Sequence, residues 1–404
     1  SFTSSFYRQK QKPLMVLQVT LFNAGLLVVD HLHFQYNGFL IGILLLALYL
    51  AFERRYLLLL NVVSMLVLLK HLFVPLVPIF AIFLLRAYCG FGSAFSMPRF
   101  LRVILITAAH LCVAFGPFLI GAGGGTPQLY QILSRLFPFG RGLLHSYWAP
   151  NLWALYALCD RVIGRITSVD VSRLSAAVSN PTGGVIGEFV PLALPAVGSV
   201  GALSMVILSM IPAWCRIYSE PTPRVLLRAI VYASLSVFMF GYHVHEKASI
   251  IPTIVLGLVC FESEVSAQLF LHLATVSSFC QLPLIDSGHE HMLWVKAVIF
   301  TAYMALLYNF FHSKVSQACL YSWFFVLFVF LALFIFSDVI SPAILTADFH
   351  GDGFVTLLLR KLQFFPFLPL LLTSTVCAVV MMACWVYSIV FLFQRVGDED
   401  KKKM

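Results

Sequence analysis

Apolar residues in this chain neither alternate nor follow a narrow helical stripe; they come in runs. Twelve stretches read as nearly continuous apolar sequence: 13–29, 38–52, 56–70, 72–86, 101–121, 187–213, 225–242, 248–262, 265–285, 292–311, 317–337 and 369–393. A bilayer core about 30 Å thick takes roughly 20 apolar helical residues to cross. Continuous runs predict helices rather than barrel strands, since each helix satisfies its own backbone groups in lipid. The pattern therefore predicts an all-α polytopic membrane protein, a single bundle over 1–404 with about 12 transmembrane helices. Segment 56–86 also reads as one long helix.

Composition strengthens this reading. The chain is 60% hydrophobic and 11% charged, with mean hydropathy +0.93, where a soluble domain carries about a quarter charged residues. The net charge of +9 does not point to nucleic acid, because the basic residues are short flanks between apolar runs. Twelve crossings put both chain ends on one side. Arg8, Lys10, Lys12, Arg54, Arg55, Arg86, Arg99, Arg102, Arg216, Arg224, Arg228, Lys314, Arg395 and Lys401 to Lys403 fall there, 16 of 26 basic residues. That bias predicts cytosolic termini. The nine cysteines lack any C-x-x-C pair and read as small core residues.

The polar stretches then collect on the opposite, non-cytosolic face: "DHLHFQYNG" (30–38), the long segment 122–186, "HVHEK" (243–247), "DSGHEH" (286–291) and 338–368. Segment 122–186 interleaves aromatic residues with Arg135, Arg141 and His145 and is broken by Pro138 and Pro150. Such a stretch suits re-entrant or interfacial helices lining a cavity. Residues 394–404 form a cytosolic tail, and Lys401 and Lys402 in the terminal "KKKM" look like a dilysine signal for retrieval to the endoplasmic reticulum.

Nucleotide signatures are absent. "GAGGGT" (121–126) fits neither dinucleotide nor Walker spacing, and "DED" (398–400) lies in a solvated tail beside three lysines. The concentrated chemistry is at His243, His245, Glu246 and Lys247, between two apolar runs. A metal would need ligands from 30–37 or 286–291 as well, since i, i+2 histidines lie on different faces of a helix. An anion fits better: Lys247 and the histidines can hold a phosphate by charge-assisted bonds, with Glu246 orienting them. Arg135 and Arg141 can join that cationic site or snorkel to lipid headgroups. In the first polar stretch, Asp30 is a base or the orienting partner of His31, with His33, Gln35 and Asn37 lining the same region. A polar helix junction is the structural alternative, as is a plain Glu246–Lys247 pair.

Three segments together carry a family resemblance: "LLVVDHLHFQYNG" (26–38), "LSRLFPFGRGLLHSYWAPNLWALY" (133–156) and "FMFGYHVHEKA" (238–248). They resemble the α-1,3-glucosyltransferases of the endoplasmic reticulum that use dolichyl phosphate glucose to extend the N-glycan precursor. The likeness runs from about residue 14 to about 312. After the "RGL", the member adding the first glucose reads "EDKVAN"; here His145 to Asn151 read "HSYWAPN", which resembles the member adding the second. Tyr242 stands where a tryptophan is usual.

The resemblance implies a GT-C-type bundle with a lumenal site, no cofactor and no metal. His145, Tyr147, Trp148 and Asn151 would line that site. It implies dolichyl phosphate glucose as donor and a monoglucosylated dolichyl-diphosphate-linked high-mannose oligosaccharide as acceptor. The α-1,3 bond would form by a single inverting displacement. Family members carry an acidic residue beside a Tyr- or Trp-Pro-Pro motif in a first lumenal loop. No such motif occurs here, so the chain is expected to be a piece of a longer protein, with its first span and catalytic loop outside it. Two other readings remain: a lipid or solute transporter, for which buried charges also mark pathways, and a catalytically incomplete fragment.

Overall fold

A computed structural model describes residues 13–90, 92–120, 125–136, 142–144, 149–167, 191–285, 290–347 and 368–394, with Thr356, Leu359 and Gln363. Among the described residues every regular element is a helix. They are α1 (Pro13–Leu32), α2 (Asn37–Phe52), α3 (Tyr56–Leu69), α4 (His71–Cys89), α5 (Met97–Ile120), α6 (Thr126–Leu136) and α7 (Leu152–Ile166). There follow α8 (Ser199–Ser219), α9 (Pro223–Phe240), α10 (Ile250–Gly257), α11 (Glu264–Leu284), α12 (Glu290–Phe311), α13 (Gln317–Thr346) and α14 (Leu368–Phe393).

Among the described residues each of the twelve apolar runs contains helix. Among the described residues, nine helices are long and apolar enough to cross a membrane; α2, α3 and α10 are shorter. Two boundaries differ from the expectation. Segment 56–86 is two elements, as the separate runs 56–70 and 72–86 have it and not one long helix, because Lys70 is extended (φ −151°, ψ 116°) and Pro75 in the following turn has no N–H to continue a helix. The run expected over 187–213 becomes helical only from Ser199, since Pro191 and Pro195 precede it, and continues to Ser219. The run 248–262 is a tight turn, Glu246–Ser249, followed by the eight-residue α10.

Helices α9 and α11 are the most enclosed, and every residue of α10 is buried. Flat aromatic stacking fills the space around them: Phe279 on Phe330 with ring centres 4.3 Å apart, and Phe261 on Phe311 at 4.8 Å. Polar side chains inside close on one another, as lipid-embedded bundles require. Trp323 Nε1 donates to Thr275 Oγ1 at 2.8 Å, and Asn23 Nδ2 donates to the Tyr303 hydroxyl at 3.0 Å. At the periphery, α5 has no buried residue.

The helices run alternately between two ends of the bundle. At one end, Arg228 near the start of α9 donates to Gln394 O at the close of α14. There too Ser263 Oγ donates to Gln394 Oε1 at 3.1 Å, and Arg86 Nε of α4 donates to Tyr218 O of α8 at 2.9 Å. These contacts bring together the starts of α9 and α11 with the finishes of α4, α8 and α14. The opposite ends of α9 and α4 carry the 241–247 turn and Lys70.

Candidate functional site

The site is built where α9 stops. Gly241 ends the helix because the chain turns back sharply: a Cβ there would lie 2.5 Å from Val237 O and 2.5 Å from Val244 Cγ2. His243 then takes a positive φ of 53°, uncommon for a residue with a side chain. It is held there from outside. Its N–H donates to Leu143 O at 3.1 Å, and its Nδ1 lies 3.0 Å from Gly142 O. Nearby, Trp153 Nε1 donates to Gly241 O at 2.8 Å and Asn151 Nδ2 to Phe238 O at 3.2 Å. Residues 142–143 and 151–153 are thus docked onto the α9 terminus, about a hundred residues away in sequence.

From that turn His243 and His245 face each other edge to face, ring centres 5.7 Å apart. Glu246 is 3% exposed. Its carbonyl accepts from Gln281 Nε2 at 2.8 Å and Ser249 Oγ at 2.7 Å, which fixes the turn to α11. Its side chain lines a small cleft with Pro150, Cys280, Leu284, Thr373 and Ser374. Burial pushes the Glu246 carboxyl up from its ordinary value, against the pull of the Lys247 charge. Lys247, half-buried, is pushed down by burial, with Glu246 acting the other way. Among the described residues the Lys247 ammonium makes no hydrogen bond and no salt bridge.

The 30–38 loop comes to the same end. Asp30 sits in a π-helical turn (Leu27–Leu32), a widening common at functional sites. Its carboxylate caps α2: Oδ1 accepts from Asn37 N at 3.0 Å and Asn37 Nδ2 at 3.2 Å, and Oδ2 accepts from Gly38 N. Both oxygens are thereby engaged in capping. Gln35 Oε1 accepts from Asn37 Nδ2 at 3.0 Å, while His31 and His33 are exposed. The His33 ring is pushed down by burial and by the charge of Lys247, which places the two groups within each other's field.

Other expected residues take different places. Asn151 is buried and caps α7, its Oδ1 accepting from Trp153 N at 3.1 Å. Arg135 is exposed in the last turn of α6, whose described residues include none that is buried. Arg141, His145, Tyr147, Trp148, Lys401 and Lys402 lie outside the described residues, as do 286–289. Among the described residues no three His, Cys, Asp or Glu side chains come together as a metal set.

Lys70 was not among the residues singled out from the sequence. It reads there as the last position of an apolar run, yet its Nζ donates to Asn37 Oδ1 at 2.8 Å and lies 5.5 Å from the Tyr36 ring centre. The available signal was a lone lysine between two apolar runs, on the predicted non-cytosolic face. Lys70 and Lys247 thus bring two half-buried cations from separate elements within each other's field.

Comparison with known proteins follows the same lines. The ALG6, ALG8 glycosyltransferase family matches residues 1–388, so similarity extends well past the residue near 312 where motif likeness thins. A mouse (Mus musculus) protein named dolichyl pyrophosphate Glc1Man9GlcNAc2 alpha-1,3-glucosyltransferase is 34% identical over 392 residues, covering 93% of this chain and 70% of its own length. Its namesake from Arabidopsis thaliana is 33% identical over 396 residues, covering 94% and 74%. The one from Bos taurus is 33% identical over 415 residues, covering 97% and 74%.

Proposed function

Since the chain belongs to the ALG6, ALG8 glycosyltransferase family, we propose that it is the α-1,3-glucosyltransferase that adds the second glucose to a lipid-linked oligosaccharide. The acceptor on this reading is Glc1Man9GlcNAc2 on dolichyl diphosphate, as the relatives' names state for them. The donor is dolichyl phosphate glucose. The site faces the lumen of the endoplasmic reticulum and the C-terminus faces the cytosol, in keeping with the skew of basic residues.

One observation carries the mechanism: the half-buried Lys247 follows the paired His243 and His245 rings in the turn that ends α9, and among the described residues no carboxylate lies in salt-bridge distance of it. When the C1–oxygen bond of the donor breaks, its electron pair stays on the phosphate, whose negative charge grows. A cation fixed in advance beside that oxygen is worth more in the transition state than in the ground state. Lys247 supplies the charge, His245 and His243 supply N–H donors, and Glu246, anchored through its carbonyl, holds the turn. The acceptor hydroxyl attacks C1 from the opposite face and gives its proton to a carboxylate base. A β-linked donor thus yields an α-linked product in one displacement.

The test is glucose transfer from a short-chain dolichyl phosphate glucose, normalised to folded protein in detergent. Lys247→Ala is expected to lower kcat/KM by roughly 10²- to 10³-fold. Lys247→Arg restores only part, because a planar fork does not occupy the position of a point charge. Wild-type turnover by well-folded Lys247→Ala would overturn this assignment.

A further inference from the structure

The donor phosphate on this reading changes charge during the reaction. As a diester it carries one negative charge; as the departing monoester it carries up to two. Lys247 balances the first. The second needs another cation at the same end of the bundle, and among the described residues one is placed there by geometry.

Lys70 lies between α3 and α4 in extended backbone, so its side chain belongs to neither helix face. The turn that follows it, His71–Leu76, packs against α9, the helix whose end carries the 241–247 turn. Its Nζ is tethered at 2.8 Å to Asn37 Oδ1, and Asn37 is in turn fixed by Asp30 through backbone and side-chain N–H groups. The tether is to a neutral oxygen. It aims the ammonium without neutralising it, and among the described residues its other two N–H bonds are unclaimed. Among the described residues no carboxylate lies in salt-bridge distance of either Lys70 or Lys247. Burial, then the charge of Lys247, push Lys70 down from its ordinary value, with Asp30 acting oppositely. Two half-buried ammonium groups in each other's field repel unless an anion joins them.

We propose that Lys70 is a second phosphate-contacting cation, aimed by the Asn37–Asp30 hydrogen-bond chain and acting with Lys247 on the leaving group. This rests on the proposed use of a lipid-phosphate donor. As C1–O cleavage proceeds, the electron pair moves onto the phosphate oxygen and the second charge appears. Lys70 stabilises that charge and so contributes more to kcat and to product binding than to donor binding.

The experiment measures inhibition by short-chain dolichyl phosphate, alongside kcat and donor KM, for purified wild type, Lys70→Gln and Lys70→Arg. Gln keeps an N–H for Asn37 and removes the charge. The expected result for Lys70→Gln is a dolichyl phosphate Ki raised about 10- to 100-fold, the scale of one charge-assisted hydrogen bond. Its kcat falls while donor KM changes less, and Lys70→Arg recovers most of the Ki. Wild-type Ki and kcat in folded Lys70→Gln overturn the proposal. A photoreactive lipid phosphate, with its diazirine beside the phosphate, gives a readout on wild type that depends on no variant. Crosslinks at 69–71 together with 245–248 support the pair, and crosslinks confined to 245–248 sink it. If wild type neither transfers glucose nor binds dolichyl phosphate, the donor reading fails and this inference with it. If wild type does both and Lys70→Gln is unchanged, this inference alone falls.

Discussion

Glu246 carries the sharpest conflict between a side chain and its surroundings. A carboxyl 3% exposed at the edge of an apolar bundle resists ionising, and burial outweighs the adjacent Lys247 charge. The folded chain therefore retains a proton that the unfolded chain releases above about pH 4.3. Stability from this group is fully present below that value and is lost as pH rises through the raised folded value. Glu246→Gln removes the titration. Its thermal midpoint in detergent is expected to match wild type near about pH 4 and to exceed it increasingly toward neutrality. Parallel pH profiles for the two proteins would refute the burial argument. Asp30 differs in its partners: its two oxygens accept N–H groups from Asn37 and Gly38 at the start of α2.

Between elements, the clearest polar link inside the spans joins α12 to α13. Lys296 Nζ lies 2.5 Å from Asp338 Oδ1, and the side chains are 3% and 13% exposed. Ser337 Oγ donates to Asp338 Oδ2 at 2.6 Å. Breaking a buried ion pair by removing one partner costs about 3–5 kcal/mol, whereas replacing both with apolar residues is near neutral. Lys296→Met alone should therefore lower the thermal midpoint sharply, and Lys296→Met with Asp338→Leu should restore most of it. A double variant as unstable as the single would show that the pair is not the cause. The aim of the 241–247 turn is also an element-level property: Gly241 permits the fold-back that His243 completes.

At the scale of the whole molecule, alternation of the helices places His33 and Ser219 at opposite ends of the bundle. The first shares an end with Lys247, and the second neighbours the Arg86 contact. In a variant whose native cysteines are replaced, His33→Cys and Ser219→Cys report sidedness in sealed microsomes. On the proposed orientation a membrane-impermeant maleimide labels Ser219→Cys directly and His33→Cys only after permeabilisation. Labelling of both before permeabilisation, or the reverse pattern, would remove the lumenal assignment.

The sequence by itself determined that the chain is helical and which runs contain helix, and it singled out His243, His245, Glu246 and Lys247 as a cluster of ionisable groups. Run length and apolarity suffice for that, because lipid forces each segment to satisfy its own backbone. Pro75, Pro191 and Pro195 are breakers legible in the sequence, and the structure breaks or delays its helices beside them. Which helices are neighbours was not written there. Uniformly apolar runs carry no stripe to show which face meets which partner, since lipid is as apolar as another helix. Only the tertiary structure decided that Gly142 and Leu143 hold His243, that Asn151 serves as a cap, and that Asp30 is committed to α2. It alone brought Lys70 to the site: the 2.8 Å bond to Asn37 spans 33 residues, and no local pattern encodes a contact made by packing α3 and α4 against α2 and α9.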